Sequence, residues 1–430
     1  ERHAGKPPTV SRALPIVLAA AWAFLLSAVF QWPGVVLSSD GWAYWEGSVS
    51  LLAGEGYRWF GGQPIHLWPP GFSLYLAPWQ ALAGPRAGVL ALSQAAAFAV
   101  SAALWAAIFL RPLRGAEPHR MLAPGVAIAV ASVLALNQRQ VGSESLAMAL
   151  LAAALLLALD GPSVARGGRA ATLLALSAAL LLTRSAAVAF LPALLAARAI
   201  RADAAGRRRE LAATGGVLFV AFLVWATVRS VLGQSGSHPL LLPSPAALGE
   251  VGLGMARQLA DLAGPRSLGA GWILFVAHLA LAVALAVAAR GTGKREEGAN
   301  AALALAGFTG VALVALWGLV PAASPLENAF GRFALFAGPA LVLVPAWAAT
   351  LARSRVLRRV AWGLLAATVA IQCGRAAFWA RHSLVADRQG IAWSTCLDPG
   401  AGRSGGGNAT KCAAPPDFPW IDRGYAARRP

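Results

Sequence analysis

Residues 37–76 read LSSDGWAYWEGSVSLLAGEGYRWFGGQPIHLWPPGFSLYL. Directly after an apolar run at 13–31, this stretch gathers Asp40, Glu46, Glu55, His66, four tryptophans and the rigid turn Trp68-Pro69-Pro70-Gly71. Crossing a hydrocarbon core takes about 20 helical residues, and the run before Asp40 has that length. Polar chemistry concentrated just beyond a crossing marks a long loop at a membrane face, and the fold turns on that reading.

Outward from this loop the chain is apolar. Of its 430 residues 58% are hydrophobic and 13% charged, with a mean hydropathy of +0.61; soluble domains carry about a quarter charged residues. The fold class is therefore all-α, a polytopic helical membrane protein. Apolar runs near 13–31, 87–110, 121–137, 145–159, 170–183, 185–200, 213–232, 271–289, 300–320, 333–351 and 358–374 predict about 11 transmembrane helices. The bracket is roughly 10–13, because 145–159 and 170–183 are short and 69–83 reads either as a membrane-edge helix or as a short span.

A net charge of +18 would suggest nucleic acid in a soluble protein. Here the basic residues fall in alternate loops: Arg2, Lys6 and Arg12; Arg111, Arg114 and Arg120; Arg166 and Arg169; Arg198, Arg201 and Arg207 to Arg209; Arg290, Lys294 and Arg295; Arg353, Arg355, Arg358 and Arg359. Basic loops stay cytoplasmic, so the charge predicts topology and no nucleic-acid partner. The N-terminus is in and the C-terminus out, which leaves the first external loop 32–86, a second long external loop 233–270 and a tail 375–430 outside a transmembrane domain 1–374. The first span has a basic start and an apolar middle, like a signal peptide. No small-residue cleavage site precedes Asp40 and removal would break the alternation, so it is expected to be an anchor. Cys396 and Cys412 lie in the external tail and are expected to form a disulfide across a Gly-rich segment; two free thiols are the alternative.

In the first loop Trp42, Trp45, Val49 and Leu52 recur every three or four residues, predicting an amphipathic helix on the bilayer surface with its tryptophans at headgroup level. Residues 245–262 predict a second one. Asp40 is placed to cap the first of these helices, with Tyr44, Glu46, Glu55 and His66 as polar company. Glu144 begins an apolar helix, where an acid at membrane depth faces a cavity or partner, or else sits in a first turn capped by Ser143 or Ser145. Arg139, Arg184 and Arg332 lie toward the same outer face. Singly they snorkel; clustered, their guanidinium forks suit a phosphate, and Arg332 is the best placed. His278, mid-span, reads as a hydrogen-bonded core histidine. Metal-binding Cys/His spacings, a P-loop, a nucleophile elbow and a His-Glu-x-x-His are absent from the sequence; it marks no certain cofactor, and a divalent cation stays open.

Taken in order, SSDGWAYWEGSVSLLAGEGY, WPPGFSLYLAP, GSESLAMALLAAALLL, LLTRSAAVAFLPALL and GRFALFAGPALVLVPA resemble the GT-C superfamily of membrane glycosyltransferases, in particular relatives of protein O-mannosyltransferases and lipid A aminoarabinose transferases. The resemblance runs through most of 13–350. It implies transfer of a sugar from a polyprenyl-phosphate donor to a hydroxyl of a lipid, glycan or protein acceptor on the non-cytoplasmic face, in a bacterial cytoplasmic membrane with the site facing the periplasm or exterior. It carries the family's acid-base aspartate to Asp40, an aromatic position to Tyr44, an acidic helix start to Glu144, and an Arg-aromatic pair to Arg332 and Phe333. Asp40-Gly41 stands where many relatives have Asp-Glu, and Trp68 where they have a basic residue, leaving His66 to take on part of that role.

The residues themselves lead to the same chemistry. With a good leaving group on the donor, the enzyme has to take the acceptor's proton, for which Asp40 is the base, and to steady the phosphate with Arg184, Arg139 and Arg332. One base without a nucleophile partner points to inversion. A polyprenyl-linked polysaccharide polymerase or ligase, which would depend on arginine and histidine in a late loop, is the nearest alternative. A lipid or solute transporter would place ionisable groups near mid-bilayer.

Overall fold

The structure, a computed structural model, describes residues 13–31, 36–37, 39–59, 62–110, 128, 130–132, 140–160, 164, 167–202, 206–234, 245–263, 270–290, 297–323, 344–345 and 354–385. It is helical: α1 Leu14–Gln31, α2 Ser39–Leu52, α3 Gly71–Ala83, α4 Ala87–Leu110, α5 Glu144–Leu159, α6 Gly167–Thr183, a 3-10 turn Ser185–Ala189, α7 Phe190–Arg201, α8 Arg207–Val231, α9 Pro245–Ala263, α10 Ala270–Arg290, α11 Glu297–Ala323 and α12 Arg355–Val385. Strand structure among the described residues amounts to one parallel pairing, β1 Val36–Leu37 with β2 Gln140–Val141.

Most of the expected apolar runs are helices. Those at 121–137 and 333–351 lie largely outside the described residues, as do Arg139, Arg332, Phe333, Cys396 and Cys412. Among the described residues four helices are long and apolar enough to cross a membrane: Leu14–Gln31, Gly88–Ile108, Arg207–Val231 and Arg355–Phe378. The last helix continues to Val385, past the expected start of the tail at 375.

The shortness of the run at 145–159 has a physical reason. At 16 residues, α5 is about 24 Å long, and it is the buried axis of the bundle, packed against α4, α6 and α7. Ala147, Leu151, Ala152, Ala154, Leu155 and Ala158 are all fully buried. Small side chains let neighbouring helices approach closely, and a helix enclosed by protein has no need to match the bilayer thickness. Lipid contact falls to helices such as α8, which exposes Phe219, Val220, Leu223 and Val224.

Both ends of α5 are polar. At its C-terminus the carbonyls of Leu157, Leu159 and Asp160 accept from Arg169 (2.9 Å), Arg201 (3.2 Å) and Arg198 (2.9 Å), satisfying groups a helix end leaves open. Arg198 also pairs with Glu210 at the start of α8 at 2.8 Å. His278 is the expected core histidine, bonded to the Leu274 carbonyl and the Thr368 hydroxyl.

Much of the tryptophan stripe of α2 is covered by protein, with Trp42 and Val49 partly buried and Leu52 47% exposed. Trp45 is 3% exposed and packs in one cluster with Tyr44, Phe72, Leu76 and Leu90, because α3 folds back over α2 and takes up that face. Residues 245–262 do form the expected helix, α9, which buries Met255, Leu259 and Ala260 and exposes Leu253. The Trp317 indole donates to the Leu248 carbonyl at 2.7 Å and fixes α9 to α11.

Candidate active site

The two-residue parallel pairing builds the site. Val36 pairs with Gln140 and Leu37 with Val141; β1 leads into α2 and β2 into α5. Parallel strands run in the same direction, so the two helix starts that follow them emerge side by side. Asp40, in the first turn of α2, and Glu144, the first residue of α5, are thereby brought to one end of the bundle from positions 104 apart in the numbering.

A third element arrives from α6. That helix ends at Thr183, and Arg184 leaves helical conformation with φ −152° and ψ 112° before the 3-10 turn begins. The break turns its side chain back toward the start of α5, where Nη1 donates to Glu144 Oε1 at 2.9 Å and to Ser143 Oγ at 3.3 Å. Both side chains of the ion pair are 12% exposed. The Tyr44 hydroxyl donates to the same Ser143 Oγ at 3.3 Å. Ser143 stands at the N-cap position without a side-chain capping bond: its hydroxyl serves the Tyr44–Arg184 network instead, so the simple cap expected there is not what forms.

Asp40 accepts a hydrogen bond from Trp68 Nε1 at 2.9 Å. Trp68 reaches it because Pro69 and Pro70 stop the chain before α3, and Gly71 lets α3 start against the end of α6. A Cβ at Gly71 would stand 2.6 Å from the Leu182 carbonyl carbon and oxygen and 2.7 Å from Thr183 N. The Ser73 hydroxyl donates to the Tyr44 carbonyl at 2.9 Å, and Gln80 Nε2 to Ser48 Oγ at 2.7 Å, locking α3 to α2 beneath the site.

Tyr44 is 3% exposed. Burial pushes its phenol well above the ordinary value, and the Asp40 charge adds to this; the Ser143 bond and Arg184 pull the other way, and Glu144 raises it again. Tyr44 thus senses Asp40, Arg184 and Glu144 together, as a neutral donor among three charges. His66 is exposed, two residues before Trp68, its Nδ1 donating to the Leu232 carbonyl at 3.1 Å. A carbonyl can only accept, so in the neutral ring Nε2 keeps a lone pair.

Of the site residues expected from the sequence, Asp40, Tyr44, Glu144 and Arg184 meet at this end of the bundle, while His66 lies two residues before Trp68 and bonds to Leu232. Sequence reasoning missed Ser143 as a shared acceptor, Trp68 as the donor to Asp40, and Gln234, which fastens the loop carrying Trp68. A glutamine at the end of an apolar helix was the only signal for the last. Among the described residues no group of three or more His, Cys, Asp or Glu side chains could hold a metal ion.

No protein-family model and no curated protein matches the sequence. Among solved structures, the crystal structure of ArnT from Cupriavidus metallidurans bound to undecaprenyl phosphate is similar, with a TM-score of 0.52 at 15% sequence identity, over 87% of this chain and 78% of that one. The apo state of the same protein aligns with a TM-score of 0.45 at 16% identity, over 90% and 80%. The likeness to the first is one of fold: the chain shares the polytopic helical architecture of ArnT, which is what the resemblance to GT-C membrane glycosyltransferases leads one to expect.

Proposed function

We propose that this chain is a membrane glycosyltransferase that moves a sugar from a polyprenyl-phosphate donor to an acceptor hydroxyl on the non-cytoplasmic face, with Asp40 as general base. The observation that carries the reading is the convergence of Asp40, oriented by Trp68, with the Glu144–Arg184 pair through Tyr44 and Ser143. This cluster sits in a fold shared with a protein whose crystal structure holds undecaprenyl phosphate.

In this mechanism the acceptor hydroxyl oxygen attacks the anomeric carbon as its proton passes to an Asp40 carboxylate oxygen. The bond from the anomeric carbon to the phosphate oxygen breaks, and its electron pair leaves on the polyprenyl phosphate, so configuration inverts. Arg184, held against Glu144, steadies the leaving phosphate together with Arg139 and Arg332. Tyr44 and His66 line the acceptor side.

The run of α8 supports the side of the membrane proposed. Its 25 residues span about 37 Å, with exposed Arg207, Arg208 and Arg209 at one end and, at the other, Leu232 in contact with His66. Basic clusters stay cytoplasmic, which favours a site facing away from the cytoplasm.

The test is an assay of purified protein in lipid with a panel of radiolabelled polyprenyl-phosphate sugars and a crude lipid and glycan acceptor extract, beside Asp40→Asn. Transfer by the parent and a loss of about 100-fold or more in a folded Asp40→Asn supports the reading and names the sugar. Undiminished transfer in Asp40→Asn moves the base to Glu144 or His66, and no transfer with any donor overturns the reading.

A further inference from the structure

The end of α8 is fastened to the Trp68 segment by three consecutive residues. The Leu232 carbonyl accepts from His66 Nδ1 at 3.1 Å. Gly233 adopts φ +68°, and a Cβ there would stand 3.3 Å from His66 Nδ1, so both the left-handed turn and the close approach favour glycine. Gln234, 2% exposed, donates from Nε2 to the carbonyls of Ile65 at 3.1 Å and Trp68 at 2.9 Å. The turn is itself tied to α8, because Arg229 Nη2 donates to the Gln234 carbonyl at 2.7 Å and its guanidinium stacks over Trp225 at 5.0 Å. A continuous run of contacts thus leads from α8 through one glutamine amide to the backbone of 65–68 and, through the Trp68 indole, to Asp40.

We infer that Gln234 is a positioning residue for Asp40: it fixes the backbone of residues 65–68 so that the Trp68 indole N–H stays on the carboxylate that takes the acceptor's proton. The inference rests on Asp40 being the base. Ile65 is buried beside Tyr57 and Trp68 meets Trp59 edge-on, and the Gln234 amide adds the hydrogen bonds that tie the carbonyls of Ile65 and Trp68 together. Trp68 is half-buried, His66 and Leu67 are exposed, and the loop ahead of them turns through Gly62 at φ +75°. An indole swing of an ångström would remove the 2.9 Å bond, since hydrogen bonds weaken steeply with distance and angle. A donor on Oδ1 also fixes the rotation of the carboxylate, and with it the direction in which its oxygens meet an acceptor hydroxyl.

The test reads the Trp68 indole directly, without turnover. In the full chain in lipid, with its tryptophan indoles labelled with nitrogen-15, the Trp68 N–H resonance is the one that Trp68→Phe removes, and Asp40→Ala shows where it moves when its acceptor is lost. Gln234→Met, near in shape but without the amide, is expected to move it in the same direction as Asp40→Ala, and Asp40→Ala with Gln234→Met no further than Asp40→Ala alone. If Gln234→Met fails to fold, Gln234→Asn, whose shorter stem cannot span both carbonyls, gives the same reading. A Gln234 variant that folds and keeps the parent's Trp68 resonance would overturn the inference. The transfer assay on the same variants separates the two claims: Asp40→Asn retaining activity sinks the base assignment whatever the resonance shows, while kcat in Gln234→Met should fall with KM unchanged if both hold.

Discussion

Arg184 Nη1 lies 2.9 Å from Glu144 Oε1 and also donates to Ser143, which Tyr44 donates to in turn. One guanidinium therefore joins the start of α5 to α2 across 41 and 40 positions of sequence on one side and, through Ser143, 99 on the other. A buried pair stripped of one partner leaves an uncompensated charge, at a cost of about 3 kcal/mol or more. Glu144→Gln and Arg184→Met are each expected to lower the thermal midpoint clearly in matched lipid, and the double variant to recover part of that loss. Additive losses would mean that the pair is not coupled as its geometry requires.

Gly71 touches backbone on the far side. Because Leu182 and Thr183 cannot rotate away as a flexible side chain would, Gly71→Ala has to push the start of α3 off the end of α6, with an overpacking cost of about 1–3 kcal/mol. The displaced segment carries Trp68 and Ser73, so transfer should fall more than stability does. Equal stability and unchanged transfer in Gly71→Ala would show that α3 accommodates the methyl by sliding, without disturbing α2.

The helices were legible because long apolar runs separated by basic loops have few other solutions, and the position of Glu144 at a helix start could be read from the switch to apolar residues after Ser143. Topology put Asp40 and Glu144 on one outer face, and the resemblance gave each a role. What brings them together is a pairing of two residues with two, too short to leave an alternation in the sequence. The tryptophan stripe of α2 left its partner open for a related reason: an amphipathic face shows that it seeks an apolar surface, and α3 supplies one for Trp45. Trp68 acts through one hydrogen bond across 28 positions and Gln234 through two across 169 and 166, and no local pattern encodes such contacts.

Tyr44 and Tyr57 give the site an alkaline signature. Burial raises both phenols, with Asp40 adding at Tyr44 and Tyr44 adding at Tyr57. In the unfolded chain a tyrosine ionises near pH 10; the folded state resists. The stability gained by keeping the phenols neutral is therefore fully present below about pH 10 and lost as pH rises above it, because unfolding then releases protons. The thermal midpoint of the parent should drop steeply above about pH 10, and Tyr44→Phe with Tyr57→Phe should flatten that drop. Transfer should show no Tyr44-dependent loss below about pH 10; such a loss would mean the phenol ionises in the folded protein.

The opposite end of α5 supplies a control that separates stability from chemistry. Glu210 Oε2 accepts from Arg198 Nε at 3.0 Å, Arg198 Nη2 at 2.8 Å and Val164 N at 3.1 Å, and the pair is almost fully enclosed at 4% and 10% exposure. Glu210→Gln strands the Arg198 charge beside the C-terminal carbonyls of α5, at a cost of about 3 kcal/mol. None of these groups touches the Asp40–Glu144 cluster, which lies at the far ends of α5 and α8. The expected outcome is a thermal midpoint lowered as much as in Glu144→Gln, with transfer per folded molecule at low temperature within about two-fold of the parent, a change of less than 0.5 kcal/mol in barrier. Glu144→Gln should lose both. If Glu210→Gln abolishes transfer while remaining folded, the two ends of α5 are coupled, and loss of activity in Glu144→Gln could no longer be assigned to the site alone.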